Sequence, residues 1–272
     1  MSRRAKKAIM VLVMTAIAMI ALFPFYMMIN MGTYKTNDLY TGIKLFIGNY
    51  AKENFHSLMQ VNFLRYYWNS VFVSVSGALL TVLVCALCGY GLGKYKFRGQ
   101  KTLTTIVMLT MMVPTQLSLV GFVKEMNFLN WSNTLLPLII PQAAYAFGVF
   151  WIKQFTQDAI PDSVIESAKL DGCGEARVFF EIALPFMKPA CATLALLAFL
   201  ASWNSFLVPV IIISRESLFT LPLGIRQLAT QFRTDLGAQI LGLTIATIPI
   251  LILFGYFSDN LISGLAAAAV KE

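Results

Sequence analysis

Residues 161–185 read "PDSVIESAKLDGCGEARVFFEIALP". This short stretch holds Asp162, Glu166, Asp171, Glu175 and Glu181, and Asp158 lies just upstream, in a chain with only 13 Asp and Glu in all. Pro161 and Asp162 break what precedes them. Ser163 and Glu166 have the spacing of a capping box, which predicts a helix starting there. Val164, Ile165 and Ala168 fall on one face of that helix. Asp171-Gly172-Cys173-Gly174 predicts a turn, since glycine permits positive φ. A second short helix follows, with Val178, Phe179 and Ile182 apolar at helical spacing. Pro185 is expected to end it, and Pro189 to open the next apolar run. The result is a helix–turn–helix too short and too charged to enter a membrane. Such an element suits docking into a groove on a partner. The plainer reading is a solvated linker, with Glu166 acting only as a helix cap.

Everything around this stretch is apolar. The chain has 272 residues, 58% hydrophobic and 12% charged, with a mean hydropathy of +0.71. A soluble domain carries about 25% charged residues. A bilayer core takes about 20 apolar residues per helical crossing. Six such segments are predicted, at about 8–31, 69–93, 102–124, 134–152, 189–213 and 238–262. With no solenoid repeat and no low-complexity linker, residues 1–272 read as one all-α transmembrane domain. Its loop at about 158–188 carries the acids. The first segment follows "SRRAKK" but is too long for a signal peptide and lacks a small-x-small cleavage site, so it is expected to be retained. Prolines 24, 114, 137, 141, 209 and 249 within or near the spans are tolerated where neighbours satisfy the freed carbonyls.

The net charge is +8. The Lys and Arg sit at the ends of apolar runs, which points to membrane topology and away from nucleic acid. Arg3, Arg4, Lys6 and Lys7 precede the first span, and "KYKFRGQK" (94–101) follows the second. Both are therefore assigned to the cytoplasmic side, which makes both termini and the acidic loop cytoplasmic too. The segments at about 32–68 and 214–237 are then external, and "RYYW" is an interfacial aromatic belt. Cys85 and Cys88 form a C-x-x-C inside an apolar span, where small packing residues are the expected reading. The one histidine, His56, has no metal-ligand companions in sequence.

Two enzymatic or self-powered readings find little support in the residues. "DGCGEAR" is one residue off the D-G-x-x-A-R core of CDP-alcohol phosphotransferases, and no acid lies between Pro185 and Arg215. Metal-assisted transfer needs several converging carboxylates. A proton- or ion-coupled carrier places acids within its spans, where each costs roughly 2.5–3.5 kcal/mol. The middles of the six spans hold none, and Asp259 lies near the end of the sixth.

"ESAKLDGCGEARVFFEIALP" resembles the EAA motif of membrane subunits of ABC importers, E-A-A-x-x-x-G and then I-x-L-P after nine further residues. Glu166, Ser167 and Ala168 stand for E-A-A, with Ser167 departing from Ala. Gly172 stands for the glycine, and Ile182, Leu184 and Pro185 for I-x-L-P. "GNYAKENF", "RYYWNSVFVS", "MMVPTQLSLV", "SWNSFLVPVII" and "TLPLGI" resemble carbohydrate permeases of the maltose-G type. "GLAAAAVKE" resembles that family's G-L-T-A-G-A-V-K-G tail, with Ala in place of the second Gly and Glu272 in place of the last.

The resemblance implies a six-helix type I importer permease that has no catalytic group. It implies a second homologous permease, a homodimeric cytoplasmic ATPase that binds ATP and magnesium, and an extracellular or periplasmic sugar-binding protein. No cofactor is then expected on this chain. Glu166, Ser167, Ala168, Asp171, Gly172, Ile182, Leu184 and Pro185 become the ATPase-coupling residues, and Val270 and Lys271 tail contacts with the ATPase. Residues 214–237 resemble the loop that enters the binding protein's cleft. Ser202, Trp203 and Asn204 are candidates for the substrate pathway, with interhelical packing the alternative for Trp203. The expected mechanism is alternating access driven by closure of the ATPase pair. A non-sugar ABC permease and a stand-alone secondary transporter are the competing readings.

Overall fold

A computed structural model describes residues 3–228 and 235–269. These residues are almost entirely helical. The chain divides into two compact units, residues up to Leu64 with Leu221–Pro249, and Arg65–Thr220 with the chain after Pro249.

The first unit opens with α1 (Arg3–Met31) and α2 (Ala51–Met59), joined through a 3-10 turn at Thr36–Thr41. The apolar side chains of α1 stay uncovered, with Ile20 73% exposed, as a lipid-facing helix requires. The end of α1 is tied by Asn54 of α2. Its buried amide donates to the carbonyls of Gly32 and Tyr34, both at 2.9 Å. These are carbonyls near the helix end with no partner in the next turn.

The second unit begins with α3 (Phe63–Lys94), α4 (Gln100–Thr110) and α5 (Leu119–Phe128). The third expected span, 102–124, is thus interrupted. Residues 111–114 turn out of helix and Thr115–Ser118 form a 3-10 turn. Pro114 has no N–H to continue the ladder, and it restricts the residue before it. Next come α6 (Leu136–Ile139) and α7 (Ala146–Ala159), linked by a 3-10 turn at Pro141–Ala143. Then α8 (Asp162–Leu170) and α9 (Glu175–Arg177) lead through a wide π-helical segment, Val178–Ala183, into α10 (Leu184–Trp203). Helix α11 (Leu207–Ile212) follows α10.

The chain then returns to the first unit. Helix α12 (Leu221–Ile225) and α13 (Leu236–Ala269) complete it, with α13 passing Pro249. The sixth span was expected to end near residue 262. Helix continues to Ala269, as a run of four alanines favours.

Among the described residues, five helical stretches are long and apolar enough to cross a membrane: Arg4–Met31, Phe63–Lys94, Leu136–Ala159, Glu175–Trp203 and Leu236–Phe257. The interrupted segment 100–128 lies where the remaining expected span falls. The fourth stretch corrects the expectation at Pro185, which does not end a helix. The helix from Glu175 to Trp203 runs unbroken through Pro185 and Pro189. A proline removes one ladder bond and crowds the carbonyl four residues back. The wider π-helical turns lie directly upstream, where that crowding has to be absorbed.

The second unit is held by backbone contact among α3, α7 and α10. A Cβ on Gly89 would lie 2.7 Å from the Ile152 side chain and 2.9 Å from the Lys153 nitrogen. One on Gly93 would lie 3.2 Å from the Lys153 carbonyl. From the other side, a Cβ on Gly148 of α7 would lie 2.7 Å from the Cys85 sulfur and 3.0 Å from Leu194. Small residues four apart let membrane helices approach closely enough for dispersion to hold them. The buried side chains around this contact include Cys85, Tyr90, Ile152, Met187 and Leu194. The Trp151 indole donates to the Ala190 carbonyl at 3.2 Å. The C-x-x-C does not share one environment, since Cys85 is buried and Cys88 exposed.

Gly89→Leu is expected to overpack this contact by about 1–3 kcal/mol. It should lower the thermal unfolding midpoint of the purified protein. At Gly91 a Cβ meets nothing within 4 Å, so Gly91→Ala should leave the midpoint unchanged. Equal midpoints for Gly89→Leu and wild type would show that the contact is not tight.

Candidate functional site

The acidic loop folds as one short helix and one long helix end. Helix α8 begins at Asp162 with Pro161 before it, and no side chain caps its first turn. The expected capping box is therefore absent, because Ser163 already lies inside the helix. Pro161 instead supplies the extended backbone that precedes helix (φ −62°, ψ 136°).

The inner face of α8 is Ile165 and Ala168, both buried, with Val164 half-buried beside them. The outer face presents Ser163, Glu166, Ser167 and Leu170. Leu170 is 89% exposed, an uncovered leucine at the tip of a polar helix. Gly172 takes φ +83°, the conformation expected of it. The Gly172 nitrogen donates to the Lys169 carbonyl, and the Cys173 nitrogen to Ala168, both at 3.0 Å. Six residues on, Val178 and Phe179 are buried in the core of the second unit, and Ile182 and Leu184 pack against it. Pro185 is exposed.

The acids divide into two sets. Asp162 pairs with Lys94 at 2.7 Å, Glu175 with Lys169 at 2.7 Å, and Glu181 with Arg177 at 2.8 Å. Glu175 also accepts from the Tyr95 hydroxyl, and Lys169 lies 4.9 Å from the centre of the Tyr95 ring. The hydrogen bond from Lys94, together with its charge, holds the Asp162 carboxyl below the usual carboxylate range. This pair therefore persists above the ordinary carboxylate pKa and is lost as pH falls through the lowered value. Partial burial, and then the bond to Glu175, push the Tyr95 phenol up, so Tyr95 stays a donor at neutral pH. Glu166 and Asp171, by contrast, have no side-chain partner among the described residues, and both are exposed.

The other candidate residues spread apart. Ser202, Trp203 and Asn204 are consecutive on a helix end and face three ways. Ser202 lines a cavity of about 330 Å³ with Gln142, Tyr145, Ser205 and Thr220. The Gln142 amide donates to the Ser202 hydroxyl at 3.0 Å, and Thr81 donates to the Gln142 carbonyl at 3.0 Å. Trp203 is 2% exposed and stacks on Phe199 at 5.4 Å, which is the packing alternative. Asn204 is exposed and donates to the Leu200 carbonyl. Gln142 was not singled out in the sequence; its signal was a lone amide directly after Pro141 in an apolar run. Val270 and Lys271 lie outside the described residues, as do residues 229–234 of the external loop. Among the described residues whose side chains are placed, no group of three or more metal-ligating side chains occurs.

Residues 85–267 match the family described as "Binding-protein-dependent transport system inner membrane component". The chain is 31% identical over 260 residues to the arabinooligosaccharides transport system permease protein AraQ of Halalkalibacterium halodurans, covering 94% of this chain and 93% of that one. It is 29% identical to the lactose transport system permease protein LacG of Rhizobium radiobacter, covering 97% and 96%. Its fold matches a chain of a bacterial ABC transporter involved in the import of the acidic polysaccharide alginate. There the TM-score is 0.81, at 19% identity, over 95% of this chain and 98% of that one.

Gly172→Val is expected to strain the turn by about 1–3 kcal/mol, since a β-branched residue resists positive φ. Gly174 has φ −70° and open space around it, so Gly174→Val is the matched control. A lower unfolding midpoint for the first and not the second is the expected result. Equal midpoints would show that the turn does not need that conformation.

Proposed function

The chain belongs to the family of binding-protein-dependent transport system inner membrane components, and on that premise we propose that it is the permease subunit of an ATP-driven importer for a sugar or oligosaccharide. It is a multi-pass membrane protein of a transport family, not an enzyme. The sugar assignment rests on the named substrates of its relatives. A second homologous permease completes the pathway, a sugar-binding protein delivers the substrate from outside, and a cytoplasmic ATPase pair binds ATP and magnesium.

One observation carries the assignment of the coupling site. The EAA-like segment forms an exposed helix whose inner face is packed and whose outer face offers Glu166, Ser167, Leu170 and Asp171. A single uncovered leucine ringed by unpaired acids is the composition of an anchor with a polar rim. We assign this face to the ATPase cleft. The basic clusters at the N-terminus and at 94–101 support a cytoplasmic position for it and for both termini. Val270 and Lys271 are assigned to the ATPase as well. Ser202, with Gln142 behind it, is the residue of the Ser202–Asn204 group that we assign to the solute pathway.

ATP binding closes the ATPase pair, the coupling helices follow, and the permease halves turn outward. The chain contributes differential contacts in two states, which is all that coupling requires.

Leu170→Asp and Glu166→Lys test the coupling face. Each should insert at wild-type level, because neither side chain is packed. Co-purification of the ATPase from detergent should fall by about thirtyfold for Leu170→Asp, the loss of an anchor worth about 2 kcal/mol. Wild-type co-purification by both variants would remove α8 from the ATPase contact.

A further inference from the structure

The contacts of α8 single out two residues that the EAA resemblance does not include. Lys94 is the last residue of α3, and Tyr95 follows it. The Lys94 side chain is 7% exposed, although it carries a charge. Its ammonium reaches the Ile160 carbonyl and the Asp162 carboxylate. Ile160 is the residue after α7 and Asp162 is the first of α8. Lys94 thus grips the joint between those helices. Tyr95 reaches the other end of α8. Its hydroxyl donates to Glu175, and its ring lies under Lys169, which in turn pairs with Glu175. Tyr95 and Phe179 also both pack on the ring of Tyr90, at 5.5 and 5.4 Å. Two consecutive residues at one helix end therefore hold the start and the finish of α8.

We propose that Lys94 and Tyr95 are positioning residues that latch α8 to α3, so that the helix bearing Glu166 and Leu170 moves with α3 as one body. This rests on the reading of α8 as the ATPase-facing helix. The physical need is plain. Helix α8 has only nine residues, and its own apolar anchorage is Ile165, Ala168 and half-buried Val164. A helix that short is marginal alone. A load applied to its outer face would rotate it on the Gly172 turn unless both ends were tied. The Lys94 stem is packed and its ammonium has two acceptors, one of them the Ile160 backbone carbonyl, so the tie does not rest on the ion pair with the exposed Asp162 carboxylate alone.

The exposed Cys88 of α3 supplies one end of a ruler. In a Cys173→Ser background, with Ser163→Cys on the exposed side of α8 as the second site, spin labels at 88 and 163 report the α3–α8 distance; Cys85 and Cys191 are buried. The measurement uses the complete transporter in nanodiscs, nucleotide-free and with ATP and vanadate. With the latch intact, the distance distribution is narrow and the same in both states. In Lys94→Met and in Tyr95→Phe its width at least doubles in the vanadate state, while Lys94→Arg stays narrow. A merely structural role would lower the yield of complex and leave the width of the surviving molecules unchanged. That result, or widths equal to wild type in both variants, overturns the latch. The label at 163, one turn from Glu166 and Ser167 on the exposed side of α8, separately reports docking, because it is immobilised only where the ATPase covers that side. A mobile label with a narrow distance would sink the ATPase reading and leave the latch standing.

Discussion

Helices α3 and α7 meet backbone to backbone at Gly89 and Gly93, and the second unit is built on that contact. Between membrane helices no hydrophobic force acts, because lipid is as apolar as leucine. What remains is dispersion, which falls away within a fraction of an ångström. Two glycines four apart let Ile152 and the Lys153 backbone sit where side chains would otherwise stand. Gly148 repeats the device toward Cys85 and α10. The same contact fixes where α3 ends. Lys94 follows Gly93 directly, so the helix pairing that seats Gly93 against Lys153 also delivers the ammonium to the Ile160 carbonyl.

The loop between the fourth and fifth apolar stretches is consequently two different objects. Its second half is the front of a long helix, continuous from Glu175 to Trp203. Its first half, α8, is a separate piece joined through Gly172. A push on the second half passes directly along backbone hydrogen bonds into the bundle of α3, α7 and α10. A push on α8 has to cross side chains. The ties at Lys94, Tyr95 and Lys169 lie on that crossing.

Much of this was legible in the sequence, and the failures have physical reasons. The apolar stretches, the turn at Gly172 and the packed face at Ile165 and Ala168 followed from hydropathy, glycine freedom and helical spacing. Pro185 misled because the rule that proline ends a helix is local. A wider turn upstream and packing on both sides offset its missing bond. The interruption of the third span at 111–118 was hidden, because a run of Met and Val satisfies hydropathy whatever its backbone does. Ser202, Trp203 and Asn204 were grouped because they are adjacent. On a helix adjacent residues lie about 100° apart, and of the three only Ser202 lines the cavity. Lys94 was visible only as one more positive charge marking a membrane side. Its burial depends on where α7 ends, which no local pattern shows.

The concentration of acids in so apolar a chain resolves into two needs. A helix as short as α8 has too little apolar surface to hold itself, so two acids tie it down, Asp162 to Lys94 and Glu175 to Lys169 and Tyr95, while Glu181 pairs with Arg177 on the helix that follows. The first of those ties uses Lys94, from the basic cluster at 94–101 on which the expected topology rests. Removing the positive cluster at 94–101 would thus disturb orientation and loop geometry together, since Lys94 serves both. Glu166 and Asp171 are left over from that scheme, on the same exposed surface as Leu170. Internal stability does not account for two unpaired carboxylates beside a bare leucine, because each internal tie closes without them. The proposed ATPase contact would give them a partner, and the ties behind them stiffen the surface they stand on.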